Sequence, residues 1–173
     1  MQKLIIRYGV YGGLIIVAYS MLVFIVYGDI GELSDRQFQF VEALGFLRYV
    51  ILFIALFMAM RAYSKDPGAQ VGWWPVVRVG ILVTLIIAVL VALLEVVYIS
   101  SYPSFYADYA EIYLSRAEAR NPTPSELAVA KRSIENYSFL ASPILSGAFY
   151  LVETTVVGFV ASMATGYFLK KKA

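Results

Sequence analysis

Four long apolar runs divide the chain, and polar segments of very different length separate them. The runs cover about residues 8–27, 41–60, 79–99 and 149–168. Each is close to the roughly 20 residues that a helix needs to cross about 30 Å of hydrocarbon. The pattern therefore predicts an all-α fold, an integral membrane four-helix bundle that forms a single domain. The first run lacks an A-x-A-like cleavage site, so we expect it to remain as the first helix.

Two of the polar segments carry helix signals of their own. Ser34 and Gln37 have the spacing of a capping box, which predicts that the second helix begins near Asp35, before its apolar run. Residues 100–143 form the longest polar stretch, and the breaker NPTP at 121–124 divides it into two helical parts. We therefore expect an extracytoplasmic helical hairpin between spans three and four.

The second helix of this hairpin has a predicted start and a predicted end. Thr123 and Glu126 form another capping box, and Pro124 occupies the first helical position, where proline is favoured. Pro143 is expected to stop the same helix, because proline cannot continue a helical hydrogen-bond pattern.

The first helix of the hairpin is expected to carry an aromatic face. Tyr102, Tyr106, Tyr109 and Tyr113 are spaced 4, 3 and 4, which places their phenols on one side of a helix. This face is an aromatic belt, or it packs onto the second hairpin helix, or it is a platform that contacts a lipid headgroup, a sugar or a partner protein.

Small residues recur at four-residue spacing in the first and fourth spans. Gly9 and Gly13 form one pair, and Gly158, Ser162 and Gly166 form a longer stripe. Such residues let helices approach closely. We expect them to serve helix packing within the bundle. The alternative is homo-oligomerisation or contact with a partner membrane protein.

Composition agrees with a membrane protein and excludes several kinds of chemistry. Hydrophobic residues make up 61% of the chain, charged residues make up 15%, and the mean hydropathy is +0.74. Soluble domains average about 45–50% apolar and about 25% charged residues. The chain has no Cys and no His, which removes disulfides, thiolate or imidazole metal ligands and His-dependent triads. We expect no cofactor, no metal and no enzymatic activity.

Basic residues are distributed unequally among the polar segments. The two termini and the loop between spans two and three carry eight basic residues and one acid, whereas the other two loops carry five basic residues and nine acids. By the positive-inside rule, both termini are cytoplasmic, and we expect a multi-pass protein of the bacterial inner membrane. The basic residues are few and suit the lipid bilayer, so nucleic-acid binding is not expected.

Three charged residues fall inside the predicted spans. Glu95 and Glu153 lie four residues from the outer ends of spans three and four, roughly 6 Å below the outer boundary. Arg48 lies deeper in span two, and its long side chain can reach the same level. Because isolated charges are costly in a membrane, we expect the three to form one cluster. It is either a structural ion pair or a site for a proton, a cation or a polar ligand.

The chain as a whole resembles the domain-of-unknown-function family numbered 4199, which occurs mainly in Bacteroidota. The resemblance lies in the opening KLIIRYGVYGGLI, the inner loop RAYSKDPGAQVGWW, the segment LLEVVYISSYPSFYADYAEIYL and the ending YLVETTVVGFVASMATGYFLKKK. It implies a small four-helix inner-membrane protein, with Glu95, Glu153, Gly158, Tyr106 and Tyr109 at recurrent positions of the family. It also implies an accessory role near glycosyltransferases that act on lipid-linked sugars.

Two functional hypotheses follow from these patterns. The first is a non-catalytic interaction or accessory subunit of a membrane complex, with envelope or lipid-linked sugar assembly as its setting. Such a subunit would use the hairpin and a small-residue stripe as contact surfaces. The second is a binder or transporter of a small molecule, lipid or cation, centred on Glu95 and Glu153. A transporter of four helices would be expected to act as an oligomer.

Overall fold

The computed structural model describes residues 1–27, 33–69 and 72–169. In chain order the helices are α1 (Gln2–Tyr27), α2 (Asp35–Lys65), α3 (Trp73–Ser101), α4 (Phe105–Ala119), α5 (Pro124–Tyr137) and α6 (Pro143–Leu169), with a 3₁₀ turn at Ser138–Ala141. No β-strand occurs in these ranges, so the all-α prediction is confirmed. The lysines at 170–172, which contribute to the predicted orientation, lie outside the described residues.

Four helices, α1, α2, α3 and α6, are long and apolar enough to cross a membrane. Each begins six residues before the apolar run that predicted it. The reason is that an apolar run marks only the part suited to hydrocarbon, whereas capping groups and turn residues fix where a helix starts. In α2 the predicted capping box is present, since Ser34 and Gln37 bond reciprocally and the helix starts at Asp35.

Helix α3 lies at the centre of the long helices. It packs against α1, α2 and α6, most extensively against α6. Half of its most apolar stretch is buried, compared with 22% of the corresponding stretch in each of the other three. The outward faces of the other helices expose large apolar side chains such as Leu22, Phe46 and Val160. The long helices therefore share one core around α3 and present apolar surface outside it.

Small residues of α1 lie where that helix meets α3. Gly9 lies against Ile86, and Gly13 lies against Leu90. A Cβ atom added to Gly9 would be 2.8 Å from the Cβ of Ile86, closer than real side chains approach. The absence of side chains at these two glycines thus sets the distance between the helices.

The stripe of α6 meets α3 in the same way. Three close approaches occur along it: Gly158 against Thr84, Ser162 against Gly80 and Gly166 against Val77. The buried hydroxyl of Ser162 donates to the carbonyl oxygen of Gly158 in its own helix, at 2.7 Å. This stripe of small residues on α6 therefore packs against α3 of the same chain.

The segment between α3 and α6 follows its predicted breaker and second cap. Helix α4 ends at Ala119, and Asn121 adopts a positive φ of 51°, which asparagine tolerates better than most residues. Thr123 and Glu126 form the predicted capping box at the start of α5. Helices α4 and α5 contact each other and the 3₁₀ turn.

Two predictions about this segment are wrong. Pro143 does not stop α5, which ends at Tyr137; it instead opens α6, where the fixed φ of proline suits the first helical position. Tyr102 does not share a helical face with the other tyrosines, because it caps the end of α3. The cause is Pro103, since a residue before proline avoids the helical region and the next helix can start only at Phe105.

Candidate functional site

Two adjoining cavities lie between the long helices and the α4–α5 segment. The large cavity, of about 770 Å³, is open on one side and is lined by α2, α4, α5, the 3₁₀ turn and the first turns of α6. The small cavity, of about 190 Å³, lies among α1, α2, α3, α4 and α6. Their walls share five residues: Val41, Gly45, Phe105, Tyr106 and Tyr150. The two cavities therefore meet at a common boundary.

The wall of the small cavity includes Arg48, whose charge is balanced by an acid. Its Nη2 donates to Oε2 of Glu153 at 2.9 Å and to the hydroxyl of Tyr49 at 2.7 Å. The guanidinium carbon also lies 4.6 Å from the ring centroid of Tyr150 and 4.8 Å from that of Tyr49, within cation–π range. Its Nε is buried and has no hydrogen-bond partner in the described part of the chain. Arg48 is thus held between an acid and two rings.

Glu95 lines the same small cavity and is bound differently. Its residue is only 9% exposed, and its Oε1 accepts hydrogen bonds from Ser146 at 3.1 Å and from Tyr106 at 3.4 Å. The basic residue of the same cavity wall, Arg48, forms its ion pair with Glu153 and not with Glu95. Glu95 is therefore a buried carboxyl group with neutral hydrogen-bond donors and no basic side chain at ion-pair distance.

Of the three charged residues predicted to cluster, two form an ion pair and the third, Glu95, lies near them. Arg48 contacts Glu153, and Arg48 and Glu95 both line the small cavity. Glu153 does not line either of the two cavities and instead holds Arg48 from α6. Whether Glu95 binds a ligand stays a prediction. The arrangement leaves Glu95 as the acid that a molecule in the small cavity would meet.

Three tyrosines of α4 form part of the wall of the large cavity. Tyr106, Tyr109 and Tyr113 line it, whereas Tyr102 is 45% exposed and belongs to the end of α3. The hydroxyl of Tyr109 donates to Oε1 of Glu42 at 3.0 Å, which ties α4 to α2. The tyrosine face of α4 is thus turned toward the long helices.

The phenols of Tyr106 and Tyr109 remain protonated donors. Burial raises the pKa of Tyr106 and of Tyr109 above the usual value near 10, and nearby Glu95 and Glu42 raise them further. Both hydroxyls therefore donate hydrogen bonds to these acids throughout the physiological pH range.

Several residues of the site were missed at the level of sequence. Ser146 lies 7 positions before the predicted Glu153 and 4 positions before Tyr150, and this periodicity would have placed it on the same face of α6 as both. Glu42 and Gly45 gave no comparable signal, because their importance depends on α4 lying beside α2.

In the described part of the chain, no group of three or more Asp or Glu side chains could hold a metal ion. The chemistry available is that of carboxyl groups, one guanidinium, hydroxyl groups and aromatic rings.

Comparison with known proteins identifies one family. The family model described as "Protein of unknown function (DUF4199)" matches residues 7–171, nearly the whole chain. No curated protein and no solved structure matches it.

Proposed function

The chain belongs to the DUF4199 family, as its resemblance predicted, and from this premise we propose that it is a membrane protein that binds a small amphipathic molecule in its two adjoining cavities. The membrane part of the proposal is supported by four helices of sufficient length and apolar character. Large apolar side chains on their outward faces suit contact with acyl chains. In this arrangement the four long helices form a membrane bundle.

The pair of cavities is the observation that carries the binding function. Ligand pockets usually measure about 300–1,000 Å³ and combine apolar walls with a few polar groups. The large cavity falls in this range, and its walls are mainly apolar and aromatic. At Gly45 and Tyr106 it borders the small cavity, which contains Arg48 and Glu95. An amphipathic molecule would place its apolar body in the large cavity and its polar end in the small one.

The predicted orientation places this site near the outer leaflet. With both termini in the cytoplasm of a bacterial cell, α4 and α5 form a helical hairpin on the extracytoplasmic side and cover the large cavity. A lipid-like molecule or an amphiphile from the periplasm could then enter from that side. No step of this proposal requires catalysis, since the site holds groups that bind and none that is placed to attack a substrate.

An interaction or accessory subunit is the second proposal. The sequence argument for this role relied in part on the stripes of small residues as contact surfaces for a partner. In the structure, Gly13 and Gly158 of these stripes already pack against α3 of the same chain. The remaining candidate surface is the outward side of α5, where Lys131, Arg132 and Glu135 are exposed. Proteins recovered with the chain under mild detergent would test this role.

Gly45 offers a direct test of the binding function. A Cβ atom at Gly45 would meet no atom within 4 Å, although the residue lines both cavities. Gly45→Phe should therefore fill the boundary between the cavities without disturbing helix packing, and Gly45→Ala is the matched control. We expect mass spectrometry of protein purified from native membranes to find a bound amphiphile in the wild type and in Gly45→Ala, and to find it reduced at least tenfold in Gly45→Phe. Equal amounts in all three folded proteins, or none in the wild type, would contradict the proposal.

A further inference from the structure

We infer that the polar end of the ligand carries an organic ammonium group, which binds against Glu95 and the tyrosine rings of the small cavity. This inference rests on the proposed binding function and names the chemical class of its ligand. It follows from the balance of charge in the cavity walls, from the kind of groups around Glu95 and from the size of the small cavity.

The walls of the two cavities have an excess of negative charge. Among the residues that the structure describes, the charged ones in these walls are Glu42, Glu95 and Arg48, and none of them is a lysine. The positive charge of Arg48 is already engaged by Glu153, at 2.9 Å. A ligand that passes from the large cavity into the small one therefore meets two acids and one basic side chain, Arg48, whose charge Glu153 already balances. A cationic group is favoured there, and an anionic group is disfavoured by repulsion from the same acids.

The groups around Glu95 suit an organic cation better than an inorganic one. Calcium takes six to eight oxygen ligands and magnesium needs octahedral oxygen coordination, whereas Glu95 stands among aromatic side chains. Tyr98, Tyr106 and Tyr150 line the same cavity. A carboxylate combined with the faces of aromatic rings is the chemistry that recognises ammonium groups. Arg48 already uses it, since its guanidinium lies 4.6 Å from the ring centroid of Tyr150.

The small cavity is also large enough for such a group. One water molecule needs about 10–15 Å³ of cavity space of this kind. The small cavity measures about 190 Å³, so it can accept a substituted ammonium group. The large cavity of about 770 Å³ then accommodates the apolar remainder of the molecule.

The test compares three probes that share a hexyl chain and differ in charge: hexyltrimethylammonium, hexyl sulfate and hexanol. Isothermal titration calorimetry would use the full chain in dodecyl maltoside, with protein-free micelles as the blank. We expect hexyltrimethylammonium to bind at least tenfold more tightly than the other two. Glu95→Gln should weaken its binding at least tenfold, and Glu111→Gln, the same change at an exposed acid of α4, should leave it unchanged.

A second measurement keeps the test independent of variant folding. The apolar reagent dicyclohexylcarbodiimide labels buried carboxyl groups, and peptide mass spectrometry would measure the label on Glu95 of the wild type. Hexyltrimethylammonium should protect Glu95, and hexyl sulfate should not. If hexyl sulfate or hexanol binds as tightly as the cation, or if the cation fails to protect Glu95, the ammonium inference is wrong while a binding function stands. If no probe binds, the inference fails, and the Gly45→Phe comparison decides separately on the binding function.

Discussion

At the scale of single residues, Glu95 and Glu153 illustrate two ways of placing an acid inside a helical protein. Glu153 is paired with Arg48, and their side chains are 29% and 23% exposed. Glu95 is more deeply buried, and its hydrogen bonds come from the neutral hydroxyls of Ser146 and Tyr106. In an ion pair each charge offsets part of the desolvation cost of the other, whereas a carboxyl group with neutral donors has only its hydrogen bonds to do so. Neutralising the two acids should therefore change the stability of the protein by different amounts.

Glu153→Gln should destabilise the protein more than Glu95→Gln does. The first change leaves the guanidinium of Arg48 without its counter-charge. Because this pair is partly exposed, the loss in unfolding free energy should lie between the limits for the two extremes. Breaking an exposed pair costs up to about 1 kcal/mol, and removing one partner of a fully buried pair costs roughly 3–5 kcal/mol. The second change removes a buried charge while the amide can still accept from Ser146. Thermal unfolding of both variants in the same detergent would measure the difference. A larger loss of stability for Glu95→Gln would show that Glu95, and not Glu153, is the main partner of Arg48.

At the scale of helices, the sequence predicted local features well and contacts less completely. The start of α2 and the start of α5 were predictable because a capping box involves residues only three positions apart. The break after α4 was predictable for the same reason. The roles of Pro143 and Tyr102 were mistaken, since a proline can either end one helix or open the next, and periodicity alone does not choose.

Close helix contacts give a matched pair of glycine substitutions. A Cβ at Gly158 would overlap Thr84 of α3, so Gly158→Ala should cost about 1–3 kcal/mol, as overpacking usually does. At Gly45 the space is open, and Gly45→Ala should stabilise α2 by about 0.5–1 kcal/mol through helix propensity. Unfolding midpoints measured in one detergent should thus move in opposite directions. If both substitutions lowered the unfolding midpoint by the same amount, the destabilisation would come from the loss of glycine itself and not from contact with α3.

At the scale of the whole molecule, the candidate site depends on how distant segments meet. Arg48, Glu95 and Glu153 could be singled out because charges stand out in apolar runs. The cavities could not be predicted, since they arise where α4 lies beside α2 and near the start of α6. The contact between Tyr109 and Glu42 shows this dependence, because the two residues lie 67 positions apart. The charged residues of the site could therefore be predicted from the sequence, whereas the shape of its cavities could not.

The orientation of the molecule decides which compartment supplies the ligand, and the sequence offers a clean way to measure it. The chain has no cysteine, so a single introduced thiol is the sole target of a membrane-impermeant maleimide. Glu118 at the end of α4 and Lys65 at the end of α2 are both exposed. If both termini are cytoplasmic, Glu118→Cys should be labelled in cells whose outer membrane alone has been permeabilised, and Lys65→Cys only after the inner membrane is opened. The reverse result would place α4 and the large cavity on the cytoplasmic side, and the amphiphile would then have to come from inside the cell.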